Sequence, residues 1–146
     1  MRIYLDTCCL QRPLDDQTHP RVRVETEAMF AVLAAVQAQE ITLLDSDALR
    51  FEIERIPDDT RRTEALAVLS LASENLELTD AEEATALTFE RHGIDAMDAI
   101  HLALASNAKA DFFCTCDDKL LRNAQSIPNL NCKTINLLSL IPEITK

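Results

Sequence analysis

Apolar runs rich in β-branched and aromatic residues, Arg2-Ile3-Tyr4-Leu5-Asp6-Thr7, Ile41-Thr42-Leu43-Leu44 and Asp111-Phe112-Phe113-Cys114-Thr115, alternate along this chain with longer stretches whose apolar residues recur at helical spacing. Parallel strands cannot be joined by a tight turn and need a crossover of a dozen or more residues, usually a helix. The alternation therefore predicts an α/β fold around a central, mostly parallel sheet. In such sheets later strands add on either side of the first, and ligands gather beyond the carboxyl ends where the strand order reverses. The first run ends in Asp6, so a carboxylate is expected at that point.

The stretches between the strands carry further acids. In a helix over Arg21–Gln39, Met29, Val32, Leu33 and Val36 fall on one face, and Glu25 shares that stripe, where a carboxylate needs a partner or a function. After the second strand, Ser46 or Asp45 can cap a helix with Ala48, Leu49, Ile53 and Ile56 inward. Glu52 falls inside this stripe, toward the core or at its edge. Helices are expected over Thr60–Ser73, over Ala81–His92 up to Gly93, and over Ala96–Ala108. Asn75–Thr79 is a short strand or extended connection, and Asn131–Ile135 the last strand. The helix from Ala96 is apolar nearly all round and must be buried. Asp98 and His101 are its conspicuous polar residues: Asp98 is either a site acid or half of a capping box with Asp95, and His101 reads as a satisfied core histidine. Asp117 stands where a strand gives way to a helix, as Asp6 does, and is either an N-cap or a site acid. The segment Cys8 to Pro20 reads as a loop bordering the site. Arg12, Arg21 and Arg23 lie in or beside it, as substrate-phosphate ligands or as solvated surface. The tail after Leu140 carries no readable pattern.

Composition narrows the chemistry. A length of 146 residues suits one domain spanning residues 1–146. With no apolar run of membrane length and no basic-then-apolar leader, a cytoplasmic protein without a membrane span is expected. Five cysteines without a CxxC pair fit that compartment as small apolar residues, and no spacing with His19, His92 or His101 supports zinc. The single glycine, Gly93, excludes a dinucleotide turn, a phosphate loop and a nucleophile elbow. A net charge of −11 opposes an anionic partner unless the acids gather at a metal site or face away from it.

Asp6, Glu52, Asp98 and Asp117 are expected to converge on one edge of such a sheet. Two carboxylates about 5 Å apart repel by roughly 3 kcal/mol at an effective dielectric near 20, so the group requires a cation or protons. Hard oxygen donors favour Mg²⁺ or Mn²⁺, ions suited to phosphodiester hydrolysis, and a bound cation reverses the local sign of charge.

Four stretches carry a resemblance: Tyr4-Leu5-Asp6-Thr7, Ser46 to Glu52, Asp98-Ala99-Ile100-His101-Leu102-Ala103, and Phe113-Cys114-Thr115-Cys116-Asp117-Asp118-Lys119-Leu120. In order and spacing they are similar to the four acidic motifs of PIN-domain nucleases, across nearly the whole chain. The resemblance implies a three-layer α/β/α sandwich, a Mg²⁺ or Mn²⁺ site and endonucleolytic cleavage of RNA, commonly single-stranded. By position it makes Asp6, Glu52, Asp98 and Asp117 the catalytic, metal-binding acids, with Thr115 supporting them through a hydrogen bond and Asp118 assisting or replacing Asp117. Small stand-alone members are often VapC-type toxins of toxin-antitoxin pairs, which are neutralised by a small antitoxin protein and often form homodimers. A phosphatase of the haloacid dehalogenase type also begins with a strand-end aspartate, but Cys8 occupies the place of its second acid. The alternative is a catalytically silent PIN module that binds metal, RNA or a protein partner, favoured by the adverse charge and by an aromatic content of only 4%.

Overall fold

The computed structural model describes all residues, 1–146. Strand β1, Arg2–Leu5, is the middle of the sheet, and its Ile3, Tyr4 and Leu5 are completely buried. It pairs in parallel with β2, Thr42–Ser46, on one side and with β4, Phe112–Cys114, on the other, so that Tyr4 lies opposite Leu44 and Phe113. Strand β3, Glu74–Leu76, extends the sheet beyond β2, and β5, Lys133–Ile135, extends it beyond β4. The order is β3-β2-β1-β4-β5 with every pairing parallel. The chain thus leaves β1 toward one edge and returns past it to build the other, which makes the carboxyl end of β1 the point of reversal.

Eight helices complete a three-layer α/β/α sandwich: α1 Thr7–Gln11, α2 Pro20–Gln37, α3 Asp47–Glu54, α4 Asp59–Leu69, α5 Asp80–Glu90, α6 Ala96–Asn107, α7 Asp118–Gln125 and α8 Leu137–Ile144. Their starts follow local chemistry. Pro20 fits the first position of α2, where the missing N–H has no intrahelical partner to lose. Ser46 accepts from the backbone N of Leu49 at 3.0 Å and caps α3. Helix α6 is as buried as its composition demands, with Leu102, Ala103, Leu104 and Ala105 at 2% exposure or less. The core is one contiguous cluster of 37 buried apolar residues, in which the Tyr4 and Phe113 rings stack at 5.5 Å between neighbouring strands.

Two segments differ from the sequence expectation. Cys8 to Pro20 is not a loop throughout: α1 occupies Thr7–Gln11 and a 3-10 turn follows at Arg12–Leu14. The Asp6 carboxylate accepts from the Thr7 backbone N at 2.9 Å and starts the helix, while Cys9 and Leu10 bury themselves against the core. The prolines lie beyond α1, Pro13 within the 3-10 turn and Pro20 at the start of α2. The tail is also helical, because Asn136 caps α8 at 2.8 Å from the Ser139 N and because Leu137 and Leu140 are completely buried.

Candidate metal centre

Asp6 leaves β1 at its carboxyl end, Asp117 follows β4, the neighbouring strand, and α3 and α6 bring Glu52 and Asp98 toward the same edge. The four carboxylates line one open cleft of about 310 Å³, together with Thr7, Cys8, Gln11 and Ile56. Acids drawn from positions 6 to 117 are therefore neighbours in space.

Each acid is held differently. Asp6 is nearly buried, and its Oδ2 accepts a hydrogen bond from Thr115 Oγ1 at 2.9 Å. The same Thr115 hydroxyl accepts from the Asp117 backbone N at 3.1 Å, so one side chain ties the ends of two strands together. Asp117 caps α7 through Oδ1, which accepts from the Lys119 N at 2.9 Å and the Leu120 N at 3.1 Å. It thus fills one of the two roles open to it in the sequence, the N-cap, and its carboxylate also lines the cleft. Glu52 is half-buried and takes hydrogen bonds from Thr7 Oγ1 and from His101 Nε2, the latter at 3.1 Å. With Nε2 donating to Glu52, the neutral His101 ring accepts from the Tyr4 hydroxyl at Nδ1, 2.6 Å away, and Tyr4 in turn meets Ser46 Oγ at 2.7 Å. His101 is completely buried with both ring nitrogens occupied, the satisfied core histidine the sequence suggests. A ligand atom of His101 lies within 4.8 Å of those of Asp6 and Glu52, but its hydrogen bonds make it the support of Glu52. Asp98 is half-buried in the first turn of α6. Asp95 makes no side-chain capping bond there, so no capping box forms.

The electrostatics follow from this packing. Burial pushes Asp6 up to about 7, assisted by Cys8 and Glu52 and opposed by His101 and Thr115. Burial, and then repulsion from Asp6, Asp117 and Glu52, push Asp98 to about 7 as well. Burial alone would raise Glu52, but the hydrogen bonds from His101 and Thr7 prevail and hold it below the usual carboxylate range. Burial opposes charge on His101, yet its bond to Glu52 and the surrounding carboxylates raise it overall. The residues fit a hard divalent cation: the open wall offers carboxylate oxygens, and the repulsion stored between Asp6 and Asp98 is what a cation removes.

The remaining sequence candidates lie elsewhere. Asp118 is exposed, does not line the cleft, and is gripped by Arg21 through two bonds of 2.7 and 2.8 Å. Arg12 pairs with Asp15 at 3.0 Å and with Glu25 at 3.1 Å, and Arg21 meets Glu25 at 3.2 Å. Glu25, 2% exposed, has the partners its place on the apolar stripe requires. Arg23 is exposed on α2. The sequence placed Cys8 at the start of a segment bordering the site but assigned neither it nor Thr7 a part in the cleft. Their position directly after the strand-end acid was the available signal.

The PIN domain family model matches residues 3–125. Among solved structures, VapBC2 from Rickettsia felis bound to a DNA fragment from their promoter shares 19% identity with a TM-score of 0.59, covering 92% of this chain and 98% of that one. FitAB bound to the IR36 DNA fragment shares 19% with a TM-score of 0.58, covering 92% and 94%. PAE2754 from Pyrobaculum aerophilum shares 16% with a TM-score of 0.55, covering 99% and 90%. These likenesses are of fold. No curated protein sequence matches the chain. With the family model spanning all four acids and the sheet order placing them on one cleft, the chain belongs to the PIN-domain family, whose members are generally nucleases that use divalent metals.

Proposed function

We propose that this protein is a divalent-metal-dependent endoribonuclease, a single nuclease domain over residues 1–146 that hydrolyses phosphodiester bonds of single-stranded RNA in the cytoplasm. The observation that carries this reading is the convergence of Asp6, Glu52, Asp98 and Asp117 on one solvent-open cleft. These four would hold Mg²⁺ or Mn²⁺. When bound, such an ion activates water for attack on phosphorus and offsets charge on the leaving oxygen. The protein supplies the rigidity. Thr115 orients Asp6 and fixes the backbone at Asp117, while His101 and Thr7 keep Glu52 ionised and pointed into the cleft.

As a biological role we propose the toxin of a toxin-antitoxin pair, neutralised by a small antitoxin protein. The fold likeness to VapBC2 and FitAB, both solved bound to DNA, supports it. We also propose a homodimer. An apolar groove lined by Ala48, Phe51, Leu78, Met97 and Ile100, with Phe51 half exposed, leaves surface for such protein contacts.

The test is cleavage of an end-labelled single-stranded RNA in Mn²⁺ by the wild type and by Asp98→Asn. The variant should fold and lose activity by a factor on the order of 10² or more. Equal cleavage by both would exclude the site. A second reading, the silent module, draws on the ion pairs that occupy Arg12 and Arg21 and on the net charge of −11. Mn²⁺ binding by the wild type without cleavage of any RNA would decide for it.

A further inference from the structure

Three thiols meet beside the acid cleft. Cys8 and Cys9 are consecutive in α1, Cys116 lies in the turn between β4 and α7, and their sulphurs are all within 4.8 Å of one another. Cys9 Sγ stands 3.7 Å from Cys116 Sγ. The sheet brings them together: the Asp6 N donates to the Cys114 carbonyl at 2.9 Å, which sets the start of α1 against the end of β4, and the Cys116 N then donates to Cys8 Sγ at 3.2 Å.

Two zinc–sulphur bonds of about 2.3 Å at a tetrahedral angle place their sulphurs roughly 3.8 Å apart. The Cys9–Cys116 pair already has that separation. Cys9 and Cys116 are buried, while Cys8 is half-buried and lines the solvent-open cleft. That arrangement leaves a route for a cation and a direction from which water can complete its coordination. Arg12, paired with Asp15 and Glu25, acts electrostatically on Cys116 against the opposing charge of Glu25, and its Nε is the one buried side-chain nitrogen or oxygen in the protein without a hydrogen-bond partner.

We propose that Cys8, Cys9 and Cys116 form a thiolate site for a thiophilic divalent cation of the zinc class, separate from the carboxylates. Soft sulphur donors select such ions over Mg²⁺ and Mn²⁺, which prefer the oxygens of the cleft. On binding, each thiol passes its proton to buffer as a sulphur lone pair bonds the cation, and no electron is transferred. The two sites share a wall, because Cys8 Sγ also touches Asp6 Oδ2 and Thr115 Oγ1, each at 3.5 Å.

Cd²⁺ is the probe, because its bonds to thiolate produce an ultraviolet charge-transfer band that carboxylates do not. Titrated into the phosphine-reduced full chain in excess Mg²⁺, it should raise a band that saturates at a single Cd²⁺ per chain and is displaced by Zn²⁺. Cys9→Ser and Cys116→Ser should each weaken binding by a factor on the order of 10². Cys132→Ser and Asp98→Asn should retain it. Where a cysteine variant fails to fold, the wild type still decides: bound Cd²⁺ must protect Cys8 from alkylation, read by mass spectrometry. No saturable band, an unchanged band in both cysteine variants, or an unprotected Cys8 would each overturn the proposal. Because the band reports sulphur alone, its absence leaves the nuclease reading to be judged by cleavage.

Discussion

Asp98 and Asp6 line the same cleft in a state that costs the fold something. Each is pushed up to about 7, against an ordinary value of 3.8. The folded chain therefore binds more protons than the unfolded chain between roughly pH 4 and pH 7, and in that window stability falls as pH rises. The contribution of these two acids is complete below the unfolded value and is lost as pH passes through about 7. In chelator, Asp98→Asn should accordingly be more stable than the wild type by roughly 1 to 2 kcal/mol near pH 8, allowing for the partial exposure of Asp98, with the advantage vanishing near pH 4. Urea denaturation at the two pH values measures this, and equal midpoints near pH 8 would show that neither burial nor repulsion raises Asp98. By the same linkage, divalent-ion binding at the proposed site should tighten as pH rises through about 7, since the carboxyls must release their protons.

Helix α2 is anchored by charge as well as by its apolar face. Glu25 lies among buried residues and is met by Arg12 from the 3-10 turn and by Arg21 one turn earlier in the helix, and Arg21 continues to Asp118 at the start of α7. One carboxylate thus joins three elements around the cleft. Removing it leaves Arg12, whose side chain is 18% exposed, without its partner on α2. Glu25→Ala should therefore cost about 3 kcal/mol, while Arg23→Ala, on the exposed face, should change stability by no more than about 0.5 kcal/mol. Thermal or urea melts of the two variants check the contrast. A Glu25→Ala protein as stable as Arg23→Ala would mean the ion pairs contribute nothing. Arg21 was readable as a partner for Glu25 from the four-residue spacing. Arg12 was not, because its position depends on α1, and α1 depends on the Asp6 carboxylate cap just before a segment whose prolines suggest a loop.

Across the whole molecule, the charge of −11 makes this a poor counterion-release binder. A basic reader that makes six to ten phosphate contacts loses about 10³ to 10⁵ in affinity between 50 and 200 mM salt. Here Arg12 and Arg21 are spent on carboxylates of the same chain. Cleavage should therefore show a KM for RNA that changes less than about threefold over that salt range at fixed Mn²⁺. A steep dependence would reveal a basic substrate surface that the acidic face does not offer.

The alternation of strands and helices, the strand-end location of Asp6 and the burial of α6 were all legible in the chain, because hydrophobic periodicity and capping act over a few residues and leave local marks. The sheet order is of another kind. It depends on which strand pairs with which after the whole core is packed, and only that order sets the end of β4 beside the end of β1. From it come the Thr115 bridge between Asp6 and Asp117, and the meeting of Cys8 and Cys9 with Cys116 across more than a hundred positions of sequence. His101 shows the same division. Its burial was implied by its apolar neighbours on α6, but its grip on Glu52 arises only where α3 and α6 pack together, since a hydrogen bond between distant residues leaves no periodic trace in the sequence.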